Sequence, residues 1–174
     1  MSAIRDKAKL IQLLILDVDG ILTNGELYYD RDGEQLKCFH VHDGLGIQLL
    51  QKCGVKIAVI SSKKSAAVSH RLNHLDIQHV YLGQDNKLTA YAELKQQLQL
   101  DDNHIACMGD DLPDLPLLRR AGFAITVPQA PEIIRDHVDM ITTREAGKGA
   151  VREACEFIMI AKELYQNVLK PYDL

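Results

Sequence analysis

Short apolar runs recur along the chain, each closed by a polar cluster and followed by a stretch with apolar positions at helical spacing. Runs that are apolar on both faces read as buried strands of a parallel sheet, because a strand covered on both sides has no polar face to alternate. The pattern predicts strands at Gln12–Leu16, Lys56–Ile60, His79–Leu82, Ile105–Met108 and Ala124–Val127. It predicts helices at Gly44–Lys52, Ser65–Asn73, Lys87–Leu98, Leu115–Ala121, Pro131–His137 and Ala150–Leu169. Such alternation implies right-handed βαβ units. The expected fold class is therefore α/β, a Rossmann-like doubly wound parallel sheet. With no repeat, low-complexity segment or linker, residues 1–174 are expected to form a single domain.

One segment departs from the rhythm. Glu26–Tyr29 and Gln35–Val41 read as two strands around the turn Asp30-Arg31-Asp32-Gly33, which predicts a β-hairpin flap over about residues 25–41. The Asp-x-Asp-Gly of that turn lacks the remaining ligands of a calcium loop. If residues 35–41 are extended, His40 and His42 share one face; a contact to substrate is the better reading of His42 than a metal pair.

The polar clusters that close the strands carry the candidate chemistry. In open α/β sheets ligands bind at the carboxyl ends of the strands. The first strand ends in Asp17-Val18-Asp19-Gly20. Beside a metal ion, one such carboxylate can attack phosphorus and the other can act as acid and then base. Ser61 follows the second strand, where its hydroxyl either contacts a phosphate oxygen or caps a helix. Lys87 opens a helix, an unfavourable place for a cation in the helix dipole, which suggests an acidic or phosphate partner. Gly109-Asp110-Asp111-Leu112-Pro113-Asp114 follows the fourth strand. A helix cap needs one carboxylate, and three lie close together here. With Asp17 and Asp19 they would repel one another unless a cation intervenes, and hard oxygen ligands around an open position favour Mg²⁺.

Composition narrows the alternatives. A net charge of −4 and the lack of a basic run argue against a nucleic-acid binder. The four cysteines, Cys38, Cys53, Cys107 and Cys155, form no C-x-x-C pair and read as free thiols in a reducing compartment. The apolar run at residues 10–16 is too short to span a bilayer and ends in aspartates, so a cytoplasmic protein without membrane contact is expected. A phospho-accepting signalling module also gathers an aspartate, a hydroxyl and a lysine around Mg²⁺. It carries its paired acids on the first strand end and the acceptor on a later one, and hydrolysis of p-nitrophenyl phosphate separates the two.

The order Asp-x-Asp, Ser, Lys, Gly-Asp-Asp-x-x-Asp, each on its own strand end, resembles the haloacid dehalogenase superfamily. That resemblance implies Asp17 as nucleophile, Asp19 as acid and base, and Ser61 and Lys87 on the phosphoryl oxygens. It implies Mg²⁺ held by Asp17, the backbone carbonyl of Asp19 and Asp110, with Asp111 and Asp114 in support. Further segments extend the match from about Leu10 to Phe157: the glycine turn at 20–25, His40-Val41-His42-Asp43-Gly44, Gly83-Gln-Asp-Asn-Lys87, and Gly147-Lys-Gly-Ala-Val-Arg152. These resemble the 3-deoxy-D-manno-octulosonate 8-phosphate phosphatase family. The implied activity is hydrolysis of a sugar-acid phosphate for lipopolysaccharide assembly, with a nine-carbon sugar-acid phosphate as the alternative substrate. Implied substrate contacts are Asp19, His40, Val41, His42, Asp43, Gly44, Gln48, Lys63, Arg71 and Lys87. The family usually has arginine at the positions of His42 and Lys63. No stretch of the chain leaves room for a cap domain. The resemblance implies instead a homotetramer, in which hairpins associate and a neighbour's C-terminal segment reaches the site; a neighbour's Lys148 is a candidate contact for the far end of the substrate.

Overall fold

A computed structural model describes residues 2–173. Six parallel strands form one sheet: β1 (Leu13–Leu16), β4 (Lys56–Ser61), β5 (His79–Leu82), β6 (Ile105–Met108), β7 (Phe123–Thr126) and β8 (Met140–Ile141). Their order is β5-β4-β1-β6-β7-β8. The chain runs outward from β1 to β5, then crosses back to β6 and proceeds toward the opposite edge. The direction of winding reverses beside β1, which is where a doubly wound sheet opens a crevice.

Every residue of β1 is buried, because the strand lies between β4 and β6 and is covered on both faces. Helices α2 (Val41–Lys52) and α3 (Ala66–His74) follow the outward crossovers. Helices α4 (Lys87–Leu98), α5 (Leu115–Leu118) and α6 (Glu132–Arg135) follow the return. Right-handed crossovers place these two groups on opposite faces. Helix α7 (Ala150–Ala161) packs along α2 and against α1 (Ser2–Lys9).

The apolar pattern overextends several elements. The predicted helix at 150–169 is broken into α7 and α8 (Tyr165–Leu169). Glu163 turns left-handed at φ 60°, and the Leu164 amide donates to the Met159 carbonyl at 2.9 Å, a 6→1 closure of the helix end. Lys162 fixes this break by donating to the carbonyls of Lys9 (2.9 Å) and Ile11 (2.8 Å), so the end of α7 also caps α1. The helices expected at 115–121 and 131–137 contract to α5 and α6. Helix α1 and β8 lie where the pattern predicts nothing; β8 has only two residues and displays no period, whereas α1 is an amphipathic helix that sequence reasoning misses.

The flap is a minimal hairpin of β2 (Tyr28–Tyr29) and β3 (Gln35–Leu36), paired antiparallel. Asp30 closes its turn, its carboxylate accepting from the amides of Asp32 and Glu34, both at 2.9 Å. The Asp-x-Asp-Gly signature is thus consumed by turn hydrogen bonds. The strand expected over residues 35–41 stops at Leu36, because His40 is already the N-cap of α2, its ring accepting from the His42 amide at 3.2 Å. His40 and His42 consequently meet edge to face across a helix start, with ring centroids 4.9 Å apart, rather than along a strand. Among the described residues, those between Asp19 and Ser61 hold only the flap, α2 and β4, and no cap domain occurs.

Asp43, on the first turn of α2, is 1% exposed. Its carboxylate accepts from the backbone amides of Gly149 (3.3 Å) and Arg152 (2.9 Å), which are the unpaired donors at the start of α7. It therefore caps one helix from the side chain of another. We expect Asp43→Ala to lower unfolding free energy by about 2 kcal/mol, read as a lower urea midpoint at unchanged slope. An unchanged midpoint removes Asp43 from the anchoring of α7.

Candidate active site

The ends of β1, β4 and β6 and the start of α4 converge on a cleft of about 290 Å³. Its lining includes Asp17, Asp19, Ser61, Lys63, Lys87, Asp110, Asp111 and Asp114. Asp17 leaves β1 with its amide bonded to the Met108 carbonyl at 3.0 Å, so the sheet ladder itself holds it beside β6. Gly20 then turns at φ +88°; a Cβ there would lie 2.1 Å from Asp110 Oδ2, so only glycine permits the approach of these two strand ends.

Ser61 is the last residue of β4 and is buried. The N-cap of α3 is Ser65, which leaves Ser61 free of that duty. Its Oγ accepts from the Lys63 amide at 3.3 Å, and its own proton remains available to an oxygen in the cleft.

Lys87 begins α4, with Asn86 as N-cap. Its ammonium donates to Asp17 Oδ1 at 2.7 Å and to Asp114 Oδ1 at 2.6 Å. Burial opposes the charge on Lys87, yet Asp17 and Asp114 together raise its pKa above the ordinary value. The other oxygen of Asp114 accepts from the amides of Asp110 (3.1 Å) and Asp111 (3.4 Å), so Asp114 shapes the loop as well as holding the lysine. Asp111 points its carboxylate at the Leu112 amide, 2.8 Å away, and is exposed; its backbone joins the loop that Asp114 organises.

Three carboxylates, those of Asp17, Asp110 and Asp114, offer oxygens within 4.8 Å of one another. No donor among the described residues reaches the Asp110 side chain. Burial and then the negative charge of Asp114 push Asp17 up to about 7, against the partial relief from Lys87. Burial, followed by Asp17, Asp114 and Asp111, pushes Asp110 up to about 7. One ammonium among three clustered carboxylates leaves net negative charge, which a divalent cation on oxygen ligands would balance.

The other expected substrate contacts lie outside this lining. Val41, His42 and Gln48 are exposed on α2. Asp43 and Gly44 are buried, Asp43 beneath α7 and Gly44 beneath the Arg71 guanidinium. Arg71 also lies over the Phe39 ring, 5.9 Å from its centroid. Lys63 does line the cleft, 3.7 Å from Asp19 Oδ2. A partner that sequence reasoning misses is Lys37, which donates to Asp19 Oδ1 from the root of the flap. No local pattern marks it, since its burial arises from the fold of the flap onto β1.

Known proteins share this architecture. Residues 57–154 match the haloacid dehalogenase-like hydrolase family. The 3-deoxy-D-manno-octulosonate 8-phosphate phosphatase of Escherichia coli is 39% identical over 156 residues, covering 90% of this chain and 83% of that protein. The crystal structure of the Moraxella catarrhalis phosphatase of the same name, in complex with magnesium, phosphate and a KDO molecule, is 44% identical. It superposes with a TM-score of 0.96 over 99% of both chains. A cobalt-bound Haemophilus influenzae deoxy-D-mannose-octulosonate 8-phosphate phosphatase is 38% identical, with a TM-score of 0.88 over 91% of this chain and 93% of that one. The chain thus belongs to the haloacid dehalogenase-like hydrolases and, among them, to the 3-deoxy-D-manno-octulosonate 8-phosphate phosphatase family.

Proposed function

We infer that this protein is a Mg²⁺-dependent phosphatase that hydrolyses 3-deoxy-D-manno-octulosonate 8-phosphate to the free sugar acid and phosphate, a step that feeds lipopolysaccharide assembly. The observation that carries the reading is Asp17 and Asp19 on one strand end, facing Ser61, Lys87 and Asp110 across a single cleft. Asp17, the backbone carbonyl of Asp19, and Asp110 would hold Mg²⁺, which would neutralise charge on the phosphoryl oxygens. Asp114 is kept from that role by its bonds to Lys87 and the loop amides.

The chain's own groups account for the rest. An Asp17 oxygen attacks phosphorus while the bond from phosphorus to the sugar oxygen breaks, and Asp19 gives that oxygen its proton. Water then attacks the aspartyl-phosphate, Asp19 takes the water's proton, and phosphate leaves with Asp17 restored. The Ser61 hydroxyl and the Lys87 ammonium hold phosphoryl oxygens as charge redistributes. Lys63, Arg71, His40 and His42 are the cationic and hydrogen-bonding groups offered to the sugar carboxylate, with Val41 and Gln48 on the surface around them; Asp43 and Gly44 are buried and act as supports beneath that surface instead of contacts. An ammonium at Lys63 is a point charge without the bidentate fork of an arginine.

A sugar phosphate needs water excluded from its site, and the described residues hold no cap domain to do so. The flap exposes Leu27, Tyr28, Tyr29 and Leu36. This apolar surface supports a homotetramer in which flaps associate and a neighbour's C-terminal segment covers the cleft. Among the described residues no helix is long and apolar enough to cross a membrane. Four free thiols, one of them exposed, suit the reducing cytoplasm.

The deciding measurement is kcat/KM for the octulosonate phosphate, a nine-carbon sugar-acid phosphate and glucose 6-phosphate. The octulosonate should be best, and glucose 6-phosphate at least about tenfold worse. Asp17→Asn should cost on the order of 10³-fold or more. Equal turnover of the neutral sugar phosphate overturns the carboxylate recognition.

Metal dependence has a pH signature. Asp17 and Asp110, raised from 3.8 to about 7, bind protons in the metal-free folded state that the unfolded chain has released. Their contribution to stability therefore falls as pH rises from about 4 to about 7. Mg²⁺ should raise Tm more at about pH 8 than at about pH 5, because at the higher pH no protons need be displaced. The same increment at both pH values overturns the ligand assignment.

Light scattering tests the assembly. Four chains per particle are expected, and Tyr29→Lys with Leu36→Glu should yield smaller particles and lose sugar-phosphate turnover. A monomeric wild-type protein with full turnover overturns it.

A further inference from the structure

The Lys37 side chain is 2% exposed, although it springs from the root of a thin surface hairpin. Among the described residues its one acidic partner is Asp19, whose Oδ1 it contacts. Asp19 Oδ2 instead faces Lys63, a cleft-lining residue 3.7 Å away whose side chain is 58% exposed. The two oxygens of Asp19 are thereby made unequal. One is held by a buried cation on the protein side, and the other is left toward the cleft.

Burying an ammonium is an expensive way to fasten a flap, since an apolar side chain of similar length would do so without the desolvation cost of a charge. The choice of a cation is explained by what it touches. Proton transfer by a carboxyl group requires the donating oxygen to lie within hydrogen-bond reach of the oxygen that receives the proton. A donor fixed on Oδ1 sets the carboxyl plane and leaves Oδ2 as the oxygen that carries the proton.

We propose that Lys37 is a positioning residue for Asp19, orienting its Oδ2 for proton transfer and making that orientation depend on a seated flap. This rests on the phosphatase reading given above. In the first step the proton on Asp19 Oδ2 passes to the sugar oxygen as its bond to phosphorus breaks and the bond from Asp17 to phosphorus forms. In the second step Oδ2 takes a proton from the attacking water as phosphate leaves Asp17. The Lys37 donor remains on Oδ1 throughout.

The two classes of leaving group separate this role from a structural one. A sugar alkoxide is too basic to leave without Asp19's proton, whereas p-nitrophenolate leaves unprotonated. The experiment compares the pre-steady-state rate of the phosphorylating step for an alkyl and an aryl ester, in wild-type and Lys37→Met protein assembled with Mg²⁺. With the octulosonate phosphate that rate should fall by about 100-fold, within the usual range for a lost general acid. With p-nitrophenyl phosphate it should fall by less than about fivefold, and slow hydrolysis of the aspartyl-phosphate should then expose a stoichiometric burst of p-nitrophenolate. Equal losses on both esters, or no loss on either, overturn the proposal. Lys37→Leu, which likewise carries no donor, is read by the same criteria if the methionine variant does not fold. Wild-type inactivity toward both esters would instead overturn the phosphatase reading. Wild-type turnover accompanied by equal losses in the variant overturns only the role of Lys37.

Discussion

The site is organised around the ammonium of Lys87, bound at 2.7 Å to Asp17 and at 2.6 Å to Asp114. These three residues come from the start of α4, the end of β1 and the N-cap of α5, so the contact ties together elements that share no local sequence. Charge burial of this kind is favourable only when partners surround the ion, and here each partner has a second duty. Asp17 is the nucleophile in the proposed reaction, while Asp114 also accepts from the loop amides that set the position of Asp110. Placing a lysine in the first turn of a helix is unfavourable for the dipole. Two carboxylates reverse that penalty and leave a cation aimed where phosphate would bind.

Backbone geometry gives the cluster its density. Gly20 lets the β1 turn approach the side chain of Asp110, which a Cβ would block. The Thr126 hydroxyl, fully buried on β7, donates to the Gly109 carbonyl at 2.6 Å and fixes the neighbouring loop from behind. The acids are consequently held close together by a rigid sheet, where burial first and mutual repulsion second raise the pKa values of Asp17 and Asp110. A site built in this way is incomplete without a cation, and the same excess charge that repels its own members provides the affinity for one.

Around this rigid base the flap is the least self-sufficient element. Two strands of two residues cannot hold themselves in water. The flap is tied down by its own turn, by Lys37 reaching Asp19, and by the loop at Gly147. At Gly147 the backbone approaches Asn24 so closely that a Cβ would lie 2.5 Å from its amide nitrogen. Its exposed Tyr29 and Leu36 remain available to another chain. The proposed closure of the cleft and the proposed alignment of the acid therefore meet in one short segment.

The sequence by itself determined the parallel sheet and the positions of its chemically active ends. A buried strand must be apolar on both faces, and the abrupt change to Asp17, Ser61 and Asp110 is visible without any distance. It also signalled a partner for Lys87, because the residue conflicts with its helix. Only the tertiary structure decided the rest. Asp43 stands in a run of polar and glycine residues that reads equally as a surface contact, yet it is buried because Gly149 and Arg152 supply donors from more than a hundred positions away. The long apolar pattern after Ala150 reads as one helix, but it breaks at Glu163 because Lys162 is held by carbonyls at the other end of the chain. Lys37 carries no local mark at all. Periodicity reports which side of an element is buried, whereas hydrogen bonds and ion pairs between distant segments depend on where the fold places them.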